Sequence, residues 1–227
     1  ISKERLISLD TGLQVAKELK KNGYKVKISE PNNQLSRNID QFKPNIIFNA
    51  LHGQFGEDGY IQTILEGFKI PYTHSGVLSS ALAMDKFISK KIFKAHGLPV
   101  IEDFLLNVKA PLKGIPIAPP FVIKPNNGGS SVGIQFIRHK EQVDKFRTLY
   151  AHHNRKYLLE KYIPGRELTV AVLGGRPLTV TDIVTDDWYN YDAKYRSGGS
   201  KHVVPSNIPQ DIFELCISYA VRAHQSL

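Results

Sequence analysis

The chain has 227 residues with 41% hydrophobic content and a formal charge of +9, from 30 Lys and Arg against 21 Asp and Glu. That apolar share excludes bulk disorder, and the longest apolar runs fall far short of the ~18 residues a membrane-spanning helix needs. A single cysteine, Cys216, excludes an internal disulfide framework or cysteine zinc cluster and points to a reducing, cytoplasmic compartment.

The start, Ile1-Ser2-Lys3-Glu4-Arg5, is charged at once and shows no signal peptide. Residues 8–23 read as a helix, with Leu9, Leu13, Ala16 and Leu19 at helical spacing and Asn22-Gly23 as the stop. Tyr24 to Ser29 alternates like a strand, and the apolar run Asn45 to Leu51 after Pro44 fits a buried parallel strand. A helix through Ile61, Ile64, Leu65 and Phe68 follows, then a strand at Ile70-Pro71-Tyr72. This order predicts an α/β layer with a parallel sheet whose first helix has no strand before it.

Ser79 to Ala95 reads as one long helix ended by His96-Gly97 and Pro99. Beyond it the chain turns to hairpins: strands at 121–124 and 133–137, a helix over 140–150, a strand at 157–162, and a pair, 167–173 with 177–184, across Gly174-Gly175. Residues 186–205 lack periodicity and form a long loop, of a length that is usually functional or disordered. A final helix over 209–227 leaves its apolar face, Ile212, Leu215, Tyr219 and Ala223, unanswered, so the last domain reads as cut short.

The lysines at 17, 20, 21, 86, 90, 91 and 94 read as solvated helix faces, not as a basic stripe with interleaved aromatics. That dispersal argues against nucleic acid and leaves a small polyanion such as a nucleotide as the attractive ligand. The loop Lys124-Pro125-Asn126-Asn127-Gly128-Gly129-Ser130-Ser131-Val132-Gly133 supplies the means. Glycines let backbone N–H groups approach phosphate oxygens, serines add hydroxyls, and Lys124 at the strand end adds an ammonium. The spacing is not that of a P-loop, and in isolation a flexible hairpin tip is the equal alternative.

His52-Gly53-Gln54-Phe55-Gly56-Glu57-Asp58-Gly59 lies between a strand and a helix, where α/β sheets bind ligands. Here His52 reads as functional and Asp58 as a helix cap. Glu160 to Glu167 joins two strands; its carboxylates suit adenine and ribose, although a surface hairpin with a Glu–Arg pair is the default. Tyr189, Tyr191, Lys194, Tyr195 and Arg196 make the long loop a candidate lid over a polyanion, with a disordered connector as its alternative.

Taken in order, the segments HGxxGEDGxIQ (52–62), MDK (84–86) with Lys90, KP…GSSVG (124–133), Glu160 to Val172 and Tyr191 to Tyr195 resemble the D-alanine–D-alanine ligases of the ATP-grasp superfamily. The resemblance covers almost the whole chain. It implies a mixed α/β and α+β ATP-grasp fold: an N-terminal parallel-sheet α/β domain over 1–85, a central small α+β domain over 86–160, and an incomplete C-terminal α+β domain over 161–227 with the lid at 186–205.

It also implies a reaction in which ATP phosphorylates one D-alanine and the amine of a second displaces the phosphate, for peptidoglycan precursor synthesis. Glu4 then resembles the carboxylate holding the first ammonium, with Ser130 and Tyr195 as its hydrogen-bonded partners. His52 is similar to the histidine beside the first D-alanine. Lys86, Lys124, Ser130, Ser131 and Lys194 match the phosphate contacts, and Glu160, Lys161, Ile163 and Glu167 match the adenine and ribose contacts. Tyr195 is the type associated with D-alanine as second substrate. Magnesium or manganese is implied, with ligands beyond residue 227 and none among the residues present; a cytoplasmic homodimer is the family's usual state. The alternatives are a ligase making a D-alanyl ester or another dipeptide, and a non-catalytic nucleotide-binding module.

Overall fold

The computed structural model describes residues 4–107, 117–150, 156–185, 193–194 and 198–227. They form two compact units, Ile1–Met84 and Asp85–Leu227.

In the first unit, helices α1 (Arg5–Lys21), α2 (Leu35–Phe42), α3 (Tyr60–Gly67) and α4 (Val77–Met84) surround a small core. That core is Ile39, Ile61 and Leu65, with Leu35, Ile47, Leu51, Phe68, Ile70 and Tyr72 packed on it. The expected strands are largely replaced. Residues 24–29 form no strand, and 45–51 meets 70–72 only in one parallel bridge, Ile47 with Tyr72. An alternating pattern makes a strand only where neighbouring backbone accepts its hydrogen bonds, and parallel pairs need cover on both faces. Ile46 and Phe48 instead stand 62% and 45% exposed. Leu13, expected on the core face of α1, is also exposed, and Ser8 and Ala16 are the buried positions.

The predicted helix 79–95 is two helices. α4 stops at Met84, and α5 runs Lys86–Ala95 behind an extended Asp85 whose carboxylate accepts the Ile88 N–H at 3.0 Å. The apolar spacing continues through the break, which is why periodicity missed it.

The second unit carries two antiparallel sheets. The first has the order β1-β4-β2-β3, from β1 (Asp103–Asn107), β2 (Phe121–Pro125), β3 (Gln135–Ile137) and β4 (Lys156–Lys161), beside α6 (Glu141–Tyr150). Phe121, Ile123, Ile137, Val143, Phe146, Tyr157 and Leu159 close its core. The second has the order β5-β6-β7, from β5 (Glu167–Leu173), β6 (Arg176–Val184) and β7 (Lys201–Val203), so the end of the loop expected over 186–205 is a strand paired with β6. α7 (Gln210–Ser226) packs on β5 and β6 with no fully buried residue; Ile212 and Leu215 stay 39% and 43% exposed. Cys216, on the same helix, is half-buried.

Candidate functional site

The first unit gathers Glu4 and His52. Glu4 is buried at the start of α1, one turn before Ser8, whose hydroxyl accepts the His52 N–H at 2.9 Å. Thr11 Oγ1 and His52 Nε2 lie 3.0 Å apart, so two turns of α1 fix both the backbone and the ring of His52. Glu57 reaches back into the same turn, accepting the Gly53 N–H at 2.6 Å with its other oxygen 4.0 Å from His52 Nδ1. Gly53 has a φ of +72°, and a Cβ there would stand 2.7 Å from Glu4 Oε1. A side chain there would be strained by that φ and would have to push the carboxylate aside. Asn49 and Gln62 both donate to the Gly56 carbonyl and hold the loop from beneath. Asp58 accepts the Phe55 and Tyr60 N–H groups and so braces the turn before α3, but the capping position expected of it is held by Gly59.

The second unit gathers the lysines. Lys86 opens α5, Lys124 lies near the end of β2, and Glu160 lies on β4. β2 and β4 are hydrogen-bonded neighbours, Val122 opposite Glu160, so residues from two strands and one helix meet. Lys86, Lys124 and Glu160 line one open cavity of about 340 Å³, with Ser89, Lys90 and Pro99 to Ile101. Lys86 Nζ donates to the Gly128 carbonyl at 2.5 Å, placing the ammonium against the glycine loop. Burial, then the adjoining Lys124 and Lys194, lower its pKa to about 8, although Glu160 and Asp85 pull the other way. Such crowding of cations in a half-buried place favours an arriving polyanion.

The loop itself is anchored by Asn126, almost wholly buried. Its side chain accepts the Phe87 N–H at 2.9 Å, and its carbonyl accepts the Lys86 N–H at 3.2 Å. Ser130 and Ser131 follow in left-handed conformations, φ 56° and 57°. Two successive non-glycine residues in that region mark a turn held against its own preference, of the kind found at ligand sites.

Two expectations need correction. Lys86 and Lys90 do not belong to a solvated helix face: Lys86 lines the cavity, and the Lys90 side chain is 11% exposed. Glu160 is not a surface hairpin carboxylate. It is buried, Lys124 pairs with one oxygen, and Lys90 donates to the other at 2.5 Å. Burial works to raise its pKa, but Lys124 and Lys90 outweigh that and hold the carboxyl below its ordinary value. Arg166 pairs with Asp182 on β6 instead, and also donates to the Asn207 carbonyl at 3.1 Å.

Lys161 at the end of β4, Ile163 after it and Glu167 at the start of β5 are all exposed. Lys194 has its pKa lowered by burial and feels Glu167 as an opposing charge. Ser130 belongs to the second unit and Glu4 to the first, while Tyr195 lies outside the described residues. Sequence reasoning missed Asn126 and also Asp103, whose Oδ1 lies 3.3 Å from Lys90 Nζ behind the cavity lining. Asn126, inside the glycine loop, carried a signal; Asp103 lies in a strand that periodicity did not find.

Two family models match the chain, one described as D-ala D-ala ligase C-terminus over residues 106–227 and one as D-ala D-ala ligase N-terminus over 25–75. The D-alanine–D-alanine ligase of Ruegeria sp. (strain TM1040) is 48% identical over 226 residues, covering 100% of this chain and 73% of the relative. That of Jannaschia sp. (strain CCS1) is also 48% identical and is covered to 74%. Among solved structures, D-alanine–D-alanine ligase from Bacillus anthracis complexed with ATP superposes with a TM-score of 0.83 at 26% identity, covering 100% of this chain and 74% of that one. VanG D-Ala:D-Ser ligase from Enterococcus faecalis gives 0.66 at 29% identity, with 80% of this chain and 56% of that one covered.

Proposed function

The chain belongs to the D-alanine–D-alanine ligase family, and from that premise we propose that it joins two D-alanines into D-alanyl-D-alanine at the expense of ATP, for peptidoglycan precursor synthesis. The observation that carries this reading is the meeting of Lys86, Lys124 and Glu160 around one cavity, with Lys194 within electrostatic reach of Lys86.

In this reading the γ-phosphoryl group passes from ATP to a carboxylate oxygen of the first D-alanine, leaving ADP and an acyl phosphate. The amine of the second D-alanine attacks the acyl carbon, its proton is lost, and phosphate departs from the tetrahedral intermediate. Glu4 holds the first ammonium, and His52, fixed by Ser8 and Thr11, faces the same substrate. Ser130 and Tyr195 share with Glu4 the substrate-holding role that the family resemblance implies. Lys86, Lys124 and Lys194 balance the triphosphate charge, with Ser130 and Ser131 presenting the glycine loop to it. Glu160, Lys161, Ile163 and Glu167 take the adenine and ribose. A lid closing from the part of 186–205 ahead of β7 keeps water from the acyl phosphate.

Magnesium or manganese is the expected companion of the triphosphate. Among the described residues no group of three or more His, Cys, Asp or Glu is placed to hold one, and no step here is routed through a metal. No helix among the described residues is long and apolar enough to cross a membrane; a cytoplasmic homodimer divided at 85/86 and 160/161 completes the proposal.

The test is phosphate release from ATP on addition of D-alanine, with the dipeptide identified by mass and D-serine and D-lactate as competitors. D-alanine-dependent release is expected, and Lys124→Ala should weaken ATP binding by ~1.5–3 kcal/mol, at least tenfold. ATP binding without turnover would favour the nucleotide-binding module. A D-serine or D-lactate product would move the specificity to another branch of the same chemistry. Unchanged ATP kinetics in Lys124→Ala would refute the site.

A further inference from the structure

We propose that Lys90 is a positioning residue for ATP binding: it touches no ligand and instead holds Glu160, and through Glu160 the ammonium of Lys124, in place. The inference rests on the ATP-binding reading of the cavity.

The physical case begins with two acids. β1 and β4 pair so that Asp103 stands directly opposite Glu160. Like charges at opposed positions repel, and here both side chains are nearly buried, 10% and 8% exposed. Lys90 answers both. Its Nζ donates to Glu160 Oε1 at 2.5 Å and to the Ile101 carbonyl at 2.5 Å, and lies 3.3 Å from Asp103 Oδ1. An ammonium has three donors; two go to Glu160 and the Ile101 carbonyl, and Asp103 stands beside it as an ion-pair partner. Lys90 is thus turned toward these three oxygens, although it stands one helical turn after Lys86 on the same helix.

The network runs in a fixed order: Asp103, Lys90, Glu160, Lys124. Its inner end is closed, with Asp103 Oδ2 buried and lacking a hydrogen-bond partner among the described residues. Its outer end is Lys124, the most exposed member at 23%. A buried carboxylate held by one cation alone could swing toward it. Held from both sides, Glu160 keeps one oxygen for Lys124 and fixes where that ammonium can stand.

The test uses the whole chain and ATP itself, by calorimetric titration alongside thermal unfolding. K90M/D103N removes one charge of each sign and should weaken ATP binding about tenfold, the order expected for losing a charge-assisted hydrogen bond. E160Q should weaken it as well. Because Lys90 acts through Glu160, K90M/D103N/E160Q should bind no worse than E160Q within about twofold. A purely structural Lys90 would lower the melting temperature while leaving the affinity of the folded protein alone. If K90M/D103N does not fold, Lys90→Arg, which keeps the charge but moves the donors, should weaken binding several-fold at an unchanged fold. Wild-type affinity in the folding variant, or multiplying effects in the triple variant, would overturn the inference while the function stands. Absence of ATP binding by the wild-type chain would remove the function and the inference together.

Discussion

Lys86 carries a titration that ligand binding should expose. Its folded pKa of about 8 lies below the ordinary 10.5 for lysine, through burial first and then Lys124 and Lys194. A bound polyanion favours the charged form, so binding near pH 8 should take up part of a proton. ATP affinity should hold below pH 8 and fall above it, by up to about tenfold per pH unit. Titrations in two buffers of different ionisation enthalpy measure that uptake, and Lys86→Met should abolish it; no proton uptake in the wild type would sink the expectation. The stability sign is opposite. Between pH 8 and 10.5 the unfolded chain holds more protons on this group, so this group's contribution to stability rises with pH across that window. Lys124 was legible in the sequence because it closes a strand in front of a glycine loop. Lys90 was misread because four-residue spacing says which side chains share a face, not whether that face meets water.

The break between α4 and α5 is set by Asp85. With its extended backbone and its carboxylate on the Ile88 N–H, Asp85 ends one helix and caps the next. Asp85→Ala should cost ~1 kcal/mol of stability, a melting-point drop of about 2–4 °C for a chain this size. A scanning melt reads it, and an unchanged melting point would mean that the cap contributes nothing. Hairpins were read well from sequence, as in 167–173 with 177–184, because turn glycines mark both ends. α2 was not read, since only Leu35 and Ile39 mark its buried side, and the strand at 24–29 was read where no partner accepts it. Pattern gives a segment's preference, while pairing decides its state.

The two units hold separate cores, one around Ile39, Ile61 and Leu65, the other around Phe121, Ile123 and Tyr157. The cavity and its cations belong wholly to Asp85–Leu227. Calorimetric unfolding should therefore resolve two transitions, and ATP at about a hundred times its Kd should stabilise the one that melts the second core, by ~2.7 kcal/mol. A shift of the other transition alone would place the nucleotide elsewhere. Family membership was legible because ordered motifs survive wherever strands fray; the individual contacts were not, since they join residues up to seventy positions apart, as Lys90 and Glu160 do. Asn126 has a last implication. One amide side chain rivets the root of the glycine loop to the first turn of α5, so whatever gesture the loop's serine tip makes, the knuckle from which it bends travels with Lys86.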